Sequence, residues 1–236
     1  MANLYQAAWR FYYGLSDLLL PPCCVRCGRP EVWLCEPCAE ALPLIAAQLC
    51  PRCGRPVTTP GLCAICRKDP LLVNPIRSAF LFEDEIRELI HALKYRGGRA
   101  VAAALGGPMA RAWEAYGMRG ELLIPVPLHP RRERKRGYNQ ALLLAQALSR
   151  HVGVPVAPHV LRRVRNTVSQ THLDLEGRRR NVADAFAVAA GLQLEAYRVT
   201  LVDDVATTGA TLNACAQALL QAKARAVEAF TLARAP

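Results

Sequence analysis

Residues 199–211 read VTLVDDVATTGAT: an apolar run, two adjacent carboxylates, a short Thr/Gly turn and the opening of an apolar segment. Val199 to Val202 is short and β-branched, the pattern of a strand buried on both faces, which puts Asp203 and Asp204 at its C-terminal end. Open α/β sheets bind ligands at that end of their strands. Thr207, Thr208, Gly209, Ala210 and Thr211 lead into a helix with an apolar face of Leu212, Cys215, Ala216, Leu219 and Leu220. The first N–H groups of such a helix lack intrahelical partners and face a dipole that favours anions. A sugar phosphate suits this arrangement: the phosphate on the N–H groups and Thr hydroxyls, the vicinal hydroxyls on the paired carboxylates.

The cysteines carry a second signal. Eight of the ten fall into four C-x-x-C pairs, Cys24/Cys27, Cys35/Cys38, Cys50/Cys53 and Cys63/Cys66. Two such knuckles complete one closed four-thiolate zinc site, so four knuckles imply two structural zinc ions. Consecutive pairing gives two small ribbons in series and closes the shorter loops, which favours it; alternating pairing would give a RING-like cross-brace. Disulfides are the other use of this count, but the regular knuckle spacing suits metal. Cys23 leaves the register of the first ligand open, because a spacing of Cys23 to Cys27 is also tolerated. Cys215, on an apolar helix face, reads as a small core residue.

The chain has 236 residues, enough for one or two domains. The Cys-rich part ends near residue 68, so the expected division is a helix and double zinc-binding domain over 1–70 and an α/β domain over 71–236. A hydrophobic fraction of 52% with 21% charged residues supports a sizeable core and excludes a disordered chain. Leu4 to Leu20 is amphipathic and broken by Arg10 and Asp17; it reads as a helix packed on the body, neither a membrane span nor a targeting peptide, and a cytoplasmic location is expected.

A net charge of +11 points to polyanionic ligands. Eleven of the thirty Lys and Arg residues lie in just two segments, Arg131–Arg136 and Arg162–Arg180, so the charge is focused rather than spread.

Between these landmarks, Asp84 is placed to cap a helix with the face Ile86, Leu89, Ile90 and Leu93, ending at Lys94, Tyr95, Arg96 and Gly97. A second helix over 99–116 carries Gly106, Gly107 and Pro108, where a kink or break is expected. Leu122 to Leu128 reads as the first sheet strand, followed by a basic loop, HPRRERKRGYNQ, and a helix from Asn139 through Leu148. Val160–Val164 and Phe186–Val188 read as the next strands, with a polar loop over 165–180 between them, and Val227–Leu232 as the strand that closes the sheet.

VTLVDDVATTGAT resembles the 5-phosphoribosyl-1-pyrophosphate (PRPP) signature of type I phosphoribosyltransferases, with Thr200 and Ala206 departing from the larger aliphatic residues usual there. Together with the four knuckles, KYRG at 94–97, VPLHPRRERKRGYNQ at 126–140 and RNTVSQTHLDLEGRRRNVADAF at 165–186, it makes almost the whole chain similar to the ComF/GntX family. The resemblance implies a double zinc ribbon joined to a phosphoribosyltransferase-like parallel sheet flanked by helices, in a cytoplasmic bacterial protein tied to natural transformation or to the use of DNA. It also implies magnesium with PRPP.

Cleaving the bond from C1 of PRPP to pyrophosphate builds positive charge on the ribose and negative charge on the leaving group, so cations and N–H donors belong at the latter. The candidate catalytic residues are Asp203, Asp204, Arg131 and Arg165. The candidate PRPP-binding stretch is Asp203, Asp204, Val205, Ala206, Thr207, Thr208, Gly209, Ala210 and Thr211, with Arg132, Arg134 and Arg136. Gly137 would let the backbone approach the phosphates closely, and the loop over 165–180 falls where these enzymes carry a lid. His129, His151, His159 and His172 read as loop or surface residues. No segment announces a nucleobase pocket. Three functions remain open: a PRPP-dependent transferase in DNA or nucleotide metabolism; a non-catalytic PRPP sensor that holds single-stranded DNA on its basic face, for which Arg178, Arg179 and Arg180 are the candidate contacts; and a structural adaptor working through the zinc ribbons, which leaves Asp203, Asp204, Thr207, Thr208 and Gly209 unexplained.

Overall fold

The structure, a computed structural model, describes residues 21–165 and 185–235. Two short helices, α1 (Glu36–Glu40) and α2 (Ala64–Lys68), belong to the Cys-rich region. The body follows as β1 (Ile76–Leu81), α3 (Asp84–Tyr95), α4 (Gly98–Ala115), β2 (Leu122–Pro125), α5 (Pro130–Arg136), α6 (Gln140–Val152), β3 (Leu161–Arg163), β4 (Phe186–Val188), β5 (Arg198–Ala206), α7 (Ala210–Gln221) and β6 (Ala226–Arg234).

The main sheet has the order β1-β6-β5-β2 and is parallel at every pairing. Its central strands are buried on both faces, which is why they read as near-continuous apolar runs. Val202, Phe230 and Leu232 point into one core with Leu89 and Leu93 of α3, Leu105 and Met109 of α4, and Leu144 and Leu148 of α6. Val199, Leu201, Val227 and Ala229 point into the other with Leu212, Cys215 and Leu219 of α7 and with β3 and β4. The Cys-rich region divides between these cores: Cys24, Leu34, Cys35 and Leu42 join the first, and Cys50, Cys53, Cys66 and Leu71 the second.

Several expectations change. β1 was not expected, because Arg77 and Ser78 interrupt its apolar pattern; Ser78 is buried and pairs with Thr231 (Oγ to Oγ1, 2.7 Å), its neighbour in register on β6. β6 therefore lies inside the sheet, and β1 forms the edge. β3 and β4 are not strands of the main sheet. They are three residues each and pair only with one another, antiparallel.

Pairing persists through Phe82, whose N–H donates to the Arg234 carbonyl (2.9 Å). Glu83, still extended, is thus the N-cap of α3, and Asp84 lies already in its first turn at φ 31°. Nor is α4 broken at Gly106, Gly107 and Pro108. Proline costs a helix interior roughly 3 kcal/mol, but a Cβ on Gly106 would meet the Ala147 carbonyl of α6 at 3.0 Å, so the glycine permits a close helix contact that offsets the loss.

The segment expected as a basic loop is the helix α5. His129 caps it, Nδ1 accepting from the Arg131 N–H (3.2 Å), and Gly137 ends it in the left-handed region at φ 84°. The segments 1–20 and 166–184, which hold the amphipathic N-terminal stretch, His172 and Arg178–Arg180, lie outside the described residues.

Candidate functional site

β5 delivers Asp203 and Asp204 at the C-terminal end of the sheet, and the chain turns through Thr207, Thr208 and Gly209 into α7. Gly209 is the N-cap at φ 79°, a conformation that favours glycine, and its Cβ position lies 3.0 Å from Leu71 Cδ1 and 3.2 Å from Ile76 Cδ1. Thr208 Oγ1 accepts from the Ala210 N–H (3.3 Å).

Asp204 is buried and held on two sides. Lys94 Nζ, from the last turn of α3, pairs with Oδ2, and Gln140 Nε2, from the first turn of α6, donates to Oδ1 (3.2 Å). Asp203 accepts the Asp204 N–H (2.8 Å). Burial pushes both carboxyls up. For Asp204 the Lys94 ammonium and the hydrogen bonds of Asp203, Lys94 and Gln140 together outweigh burial and bring it below the ordinary range, whereas for Asp203 burial and the adjacent Asp204 charge act together and raise it well above. The pair thus presents one carboxylate and one carboxyl that protonates far more readily.

The basic side comes from α5, where Arg131, Arg132 and Arg134 are exposed. Arg136 instead turns inward, donating to Gln140 Oε1 and lying 5.5 Å over the Tyr95 ring. Arg165 is exposed at the bend after β3.

Three residues of the neighbourhood were not picked out from sequence. Lys94 and Gln140 surround Asp204, and Arg163, stacked 5.3 Å from the Phe186 ring, lies within electrostatic reach of both Arg132 and Asp203. The KYRG stretch was the available signal for Lys94. Its Gly97 accommodates Trp33, and the adjacent Gly98 lies against Tyr138, whose hydroxyl donates to the Leu93 carbonyl (2.7 Å).

The thiols fall into two groups, Cys24, Cys27, Cys35, Cys38 and Cys50, Cys53, Cys63, Cys66, each with its sulfurs within 4.8 Å of one another. Consecutive pairing is therefore the arrangement, and Cys23 lies outside it. A repeat explains the register: CVRCGRP at 24–30 and CPRCGRP at 50–56 close in the same way, Cys24 and Cys50 each donating N–H to the carbonyl of Arg29 or Arg55 (2.8 Å in both). Backbone N–H groups point at the sulfurs, from Cys35 to Cys24 Sγ (3.5 Å) and from Cys63 to Cys50 Sγ (3.4 Å). Burial raises the Cys24 and Cys50 thiols, yet several hydrogen bonds together outweigh it, from the backbone of Cys35, Cys27 and Arg26 on Cys24 and of Cys53, Cys63 and Arg52 on Cys50 and from the neighbouring Cys27 or Cys53 thiol, and bring each down to about 6. Four clustered sulfurs with N–H donors fit a structural zinc ion at each site.

A parallel sheet with paired carboxylates and a Thr/Gly turn at its strand ends, attached to two four-cysteine units, defines the class: a double zinc ribbon joined to a phosphoribosyltransferase domain. Residues 15–67 match the double zinc ribbon domain family and residues 139–236 the phosphoribosyl transferase domain family. The chain is 31% identical to competence protein ComFC of Bacillus subtilis over 87% of its own length and 86% of that protein's. It is 33% identical to DNA utilization protein YhgH of Salmonella typhimurium, over 92% of this chain and 99% of that one, and 43% identical to competence protein F of Haemophilus influenzae over 49% and 51%. The chain belongs to the ComF family. Adenine phosphoribosyltransferase of Thermoanaerobacter pseudethanolicus superposes on 56% of this chain and 81% of its own, at 16% identity and a TM-score of 0.36. Among the described residues, no helix is long and apolar enough to cross a membrane.

Proposed function

We propose that the protein binds PRPP with magnesium at the end of β5 and acts in the uptake or use of DNA. The carrying observation is the junction at Asp203–Thr211, where two adjacent carboxyls with opposite pKa shifts sit one turn from the N-terminus of α7. Asp203 and Asp204 take the ribose hydroxyls, and the stretch from Val205 and Ala206 through Thr207, Thr208, Gly209, Ala210 and Thr211 takes the 5′-phosphate. Arg131, Arg132 and Arg134 of α5, with Arg165, take the pyrophosphate, where their charge opposes what builds on the leaving group. Arg136 is already engaged with Gln140 and Tyr95, so its part is to fix the residue that holds Asp204. Relatives named for competence and for DNA utilization support the biological setting, and with it a cytoplasmic location and partners among DNA-processing proteins. As an enzyme the protein is a pentosyl transferase with an acceptor still to be identified.

The second reading, a non-catalytic PRPP sensor that holds single-stranded DNA, rests on the exposed arginines of α5 and the net charge of +11. Calorimetric titration with PRPP and magnesium, followed by a pyrophosphate-release assay with and without single-stranded DNA, tests both. Binding with release supports the transferase, binding without release the sensor, and no binding removes both.

A further inference from the structure

The two ribbons are copies of one motif, and the arginine at the same place in each is used differently. Arg26, inside the first knuckle, pairs with Glu85 at the start of α3 (3.3 Å). Arg52, inside the second, reaches under the phosphate turn. Its Nη1 donates to the Leu71 carbonyl, and its own carbonyl accepts the Ile76 N–H (2.7 Å). Leu71 and Ile76 are the two side chains that meet Gly209 from below, and the Leu72 N–H donates to Asn213 Oδ1 (2.6 Å) in the first turn of α7.

Every step from Cys50 and Cys53 to the turn is therefore a direct contact: knuckle, Arg52, the 71–76 segment, Gly209. The apolar floor under Gly209 is buried, with Leu71 6% and Ile76 0% exposed, and Arg52 reaches it from a half-buried position. Packed interiors transmit displacement rather than absorb it. A loosened second knuckle frees Arg52, and the floor of the turn that must hold Gly209 at positive φ moves with it.

We propose that Arg52 is a positioning residue that couples the second four-cysteine zinc centre to the phosphate turn at Thr207–Thr211, so that zinc in that centre and a sugar 5′-phosphate in the turn stabilise one another. The inference rests on the assignment of that turn to the 5′-phosphate. Coupling of this kind is reciprocal: if zinc tightens the turn, a ligand in the turn tightens zinc by the same factor. The first centre, tied to α3 through Arg26, takes no part in it.

The test uses the full-length, zinc-loaded protein, with ribose 5-phosphate as the probe because it carries the 5′-phosphate and no pyrophosphate. Zinc release to a chromogenic chelator is followed with and without the probe, and probe affinity is measured by calorimetry. In the parent, saturating ribose 5-phosphate slows the loss of one of the two zinc ions by about fivefold or more and leaves the other unchanged. Arg52→Met, checked to retain both zinc ions, binds the probe about tenfold more weakly and loses the protection. Arg26→Met keeps both properties of the parent. Should Arg52→Met fail to fold, Leu71→Ala, which empties the space under Gly209 while leaving the knuckle intact, takes its place with the same expectation. Release rates indifferent to the probe, unchanged affinity in Arg52→Met or Leu71→Ala, or an equal loss in Arg26→Met overturn the coupling. A parent that binds neither ribose 5-phosphate nor PRPP instead overturns the assignment of the turn itself.

Discussion

Lys94 Nζ pairs with Asp204 Oδ2 and so ties the last turn of α3 to the end of β5. Asp204 is 8% exposed at its side chain and Lys94 26%, so the pair is shielded without being fully dry. Removing one partner of a buried pair costs 3 to 5 kcal/mol, and the partial exposure of Lys94 reduces that to about 2 kcal/mol for Lys94→Met. The sign with pH follows from the shifts. The folded protein holds Asp204 below its ordinary 3.8, so this contribution is present above that value and lost as pH falls through the folded one. Without Lys94, burial dominates and raises the same carboxyl, so the stability deficit of Lys94→Met should shrink as pH falls from neutrality. Urea midpoints of both proteins across pH check this, and a deficit independent of pH would mean that Lys94 does not set the ionisation of Asp204.

The two carboxylates should not respond alike to neutralisation. Burial and the adjacent Asp204 charge disfavour the ionised form of Asp203, so Asp203→Asn relieves that cost, and its Oδ1 can still accept the Asp204 N–H. Stability should be unchanged or slightly higher at neutral pH, while PRPP affinity falls about tenfold for the loss of one charge-assisted contact. Asp204→Asn strands Lys94 and destabilises the fold as well. Denaturation and calorimetry on the two single variants separate these effects, and equal PRPP affinity in Asp203→Asn and the parent would remove the ribose assignment.

Thr200, a departure from the aliphatic residue usual in this signature, is paired rather than misplaced. Its hydroxyl donates to Glu228 Oε1 (2.7 Å) across the β5–β6 register, and both residues are buried. Gly120 leaves room for it, since a Cβ there would lie 1.9 Å from Thr200 Oγ1. Thr200→Val removes the shorter of two donors to the buried Glu228 Oε1, leaving the Arg119 N–H (3.3 Å), and should cost about 1 kcal/mol. Gly120→Ala should cost about 1 to 3 kcal/mol through overpacking, and the two substitutions should be non-additive because they act on one contact. Thermal or urea denaturation of the singles and the double measures this; simple additivity would show that Gly120 serves something else.

The site was legible where one local pattern carried it, and hidden where two distant segments had to meet. Asp203, Asp204 and the Thr/Gly turn stand together in sequence, and β-branching marked their strand. Lys94 and Gln140 converge on Asp204 only through the packing of α3 and α6, so nothing near either residue announced its partner. β1 was hidden for a related reason: Ser78 looks polar until Thr231 is opposite it. The basic stretch at 131–136 read as a loop because its charges mask a helix whose signals are a His129 cap and a terminal Gly137. The repeat CVRCGRP and CPRCGRP, by contrast, was present in the sequence and would have fixed both the pairing of the knuckles and the exclusion of Cys23.

The two metal centres should differ in what their loss costs. Four thiolates around Zn²⁺ leave a net charge of about −2, which needs compensation where water is excluded. Around the first centre water supplies it, because Cys27 is exposed and Cys38 half-buried. Beside the second lies Arg234, the last residue of β6 and 1% exposed, with Nε and Nη1 lacking a hydrogen-bond partner among the described residues. Burial lowers the Arg234 guanidinium, and the thiols of Cys53, Cys63 and Cys66 hold it up. Stripping zinc lets those thiols protonate and leaves a buried, uncompensated cation at the C-terminal end of β6, a situation that costs about 3 to 5 kcal/mol. The protein should therefore carry about two zinc ions per chain, Cys24→Ser and Cys50→Ser should each remove one, and Cys50→Ser should lower the melting temperature much more. Arg234→Met should weaken retention of the second zinc and leave the first untouched. Elemental analysis with melting curves on the three variants checks this order, and equal melting temperatures in Cys24→Ser and Cys50→Ser would show that Arg234 is not the counter-charge of the second centre.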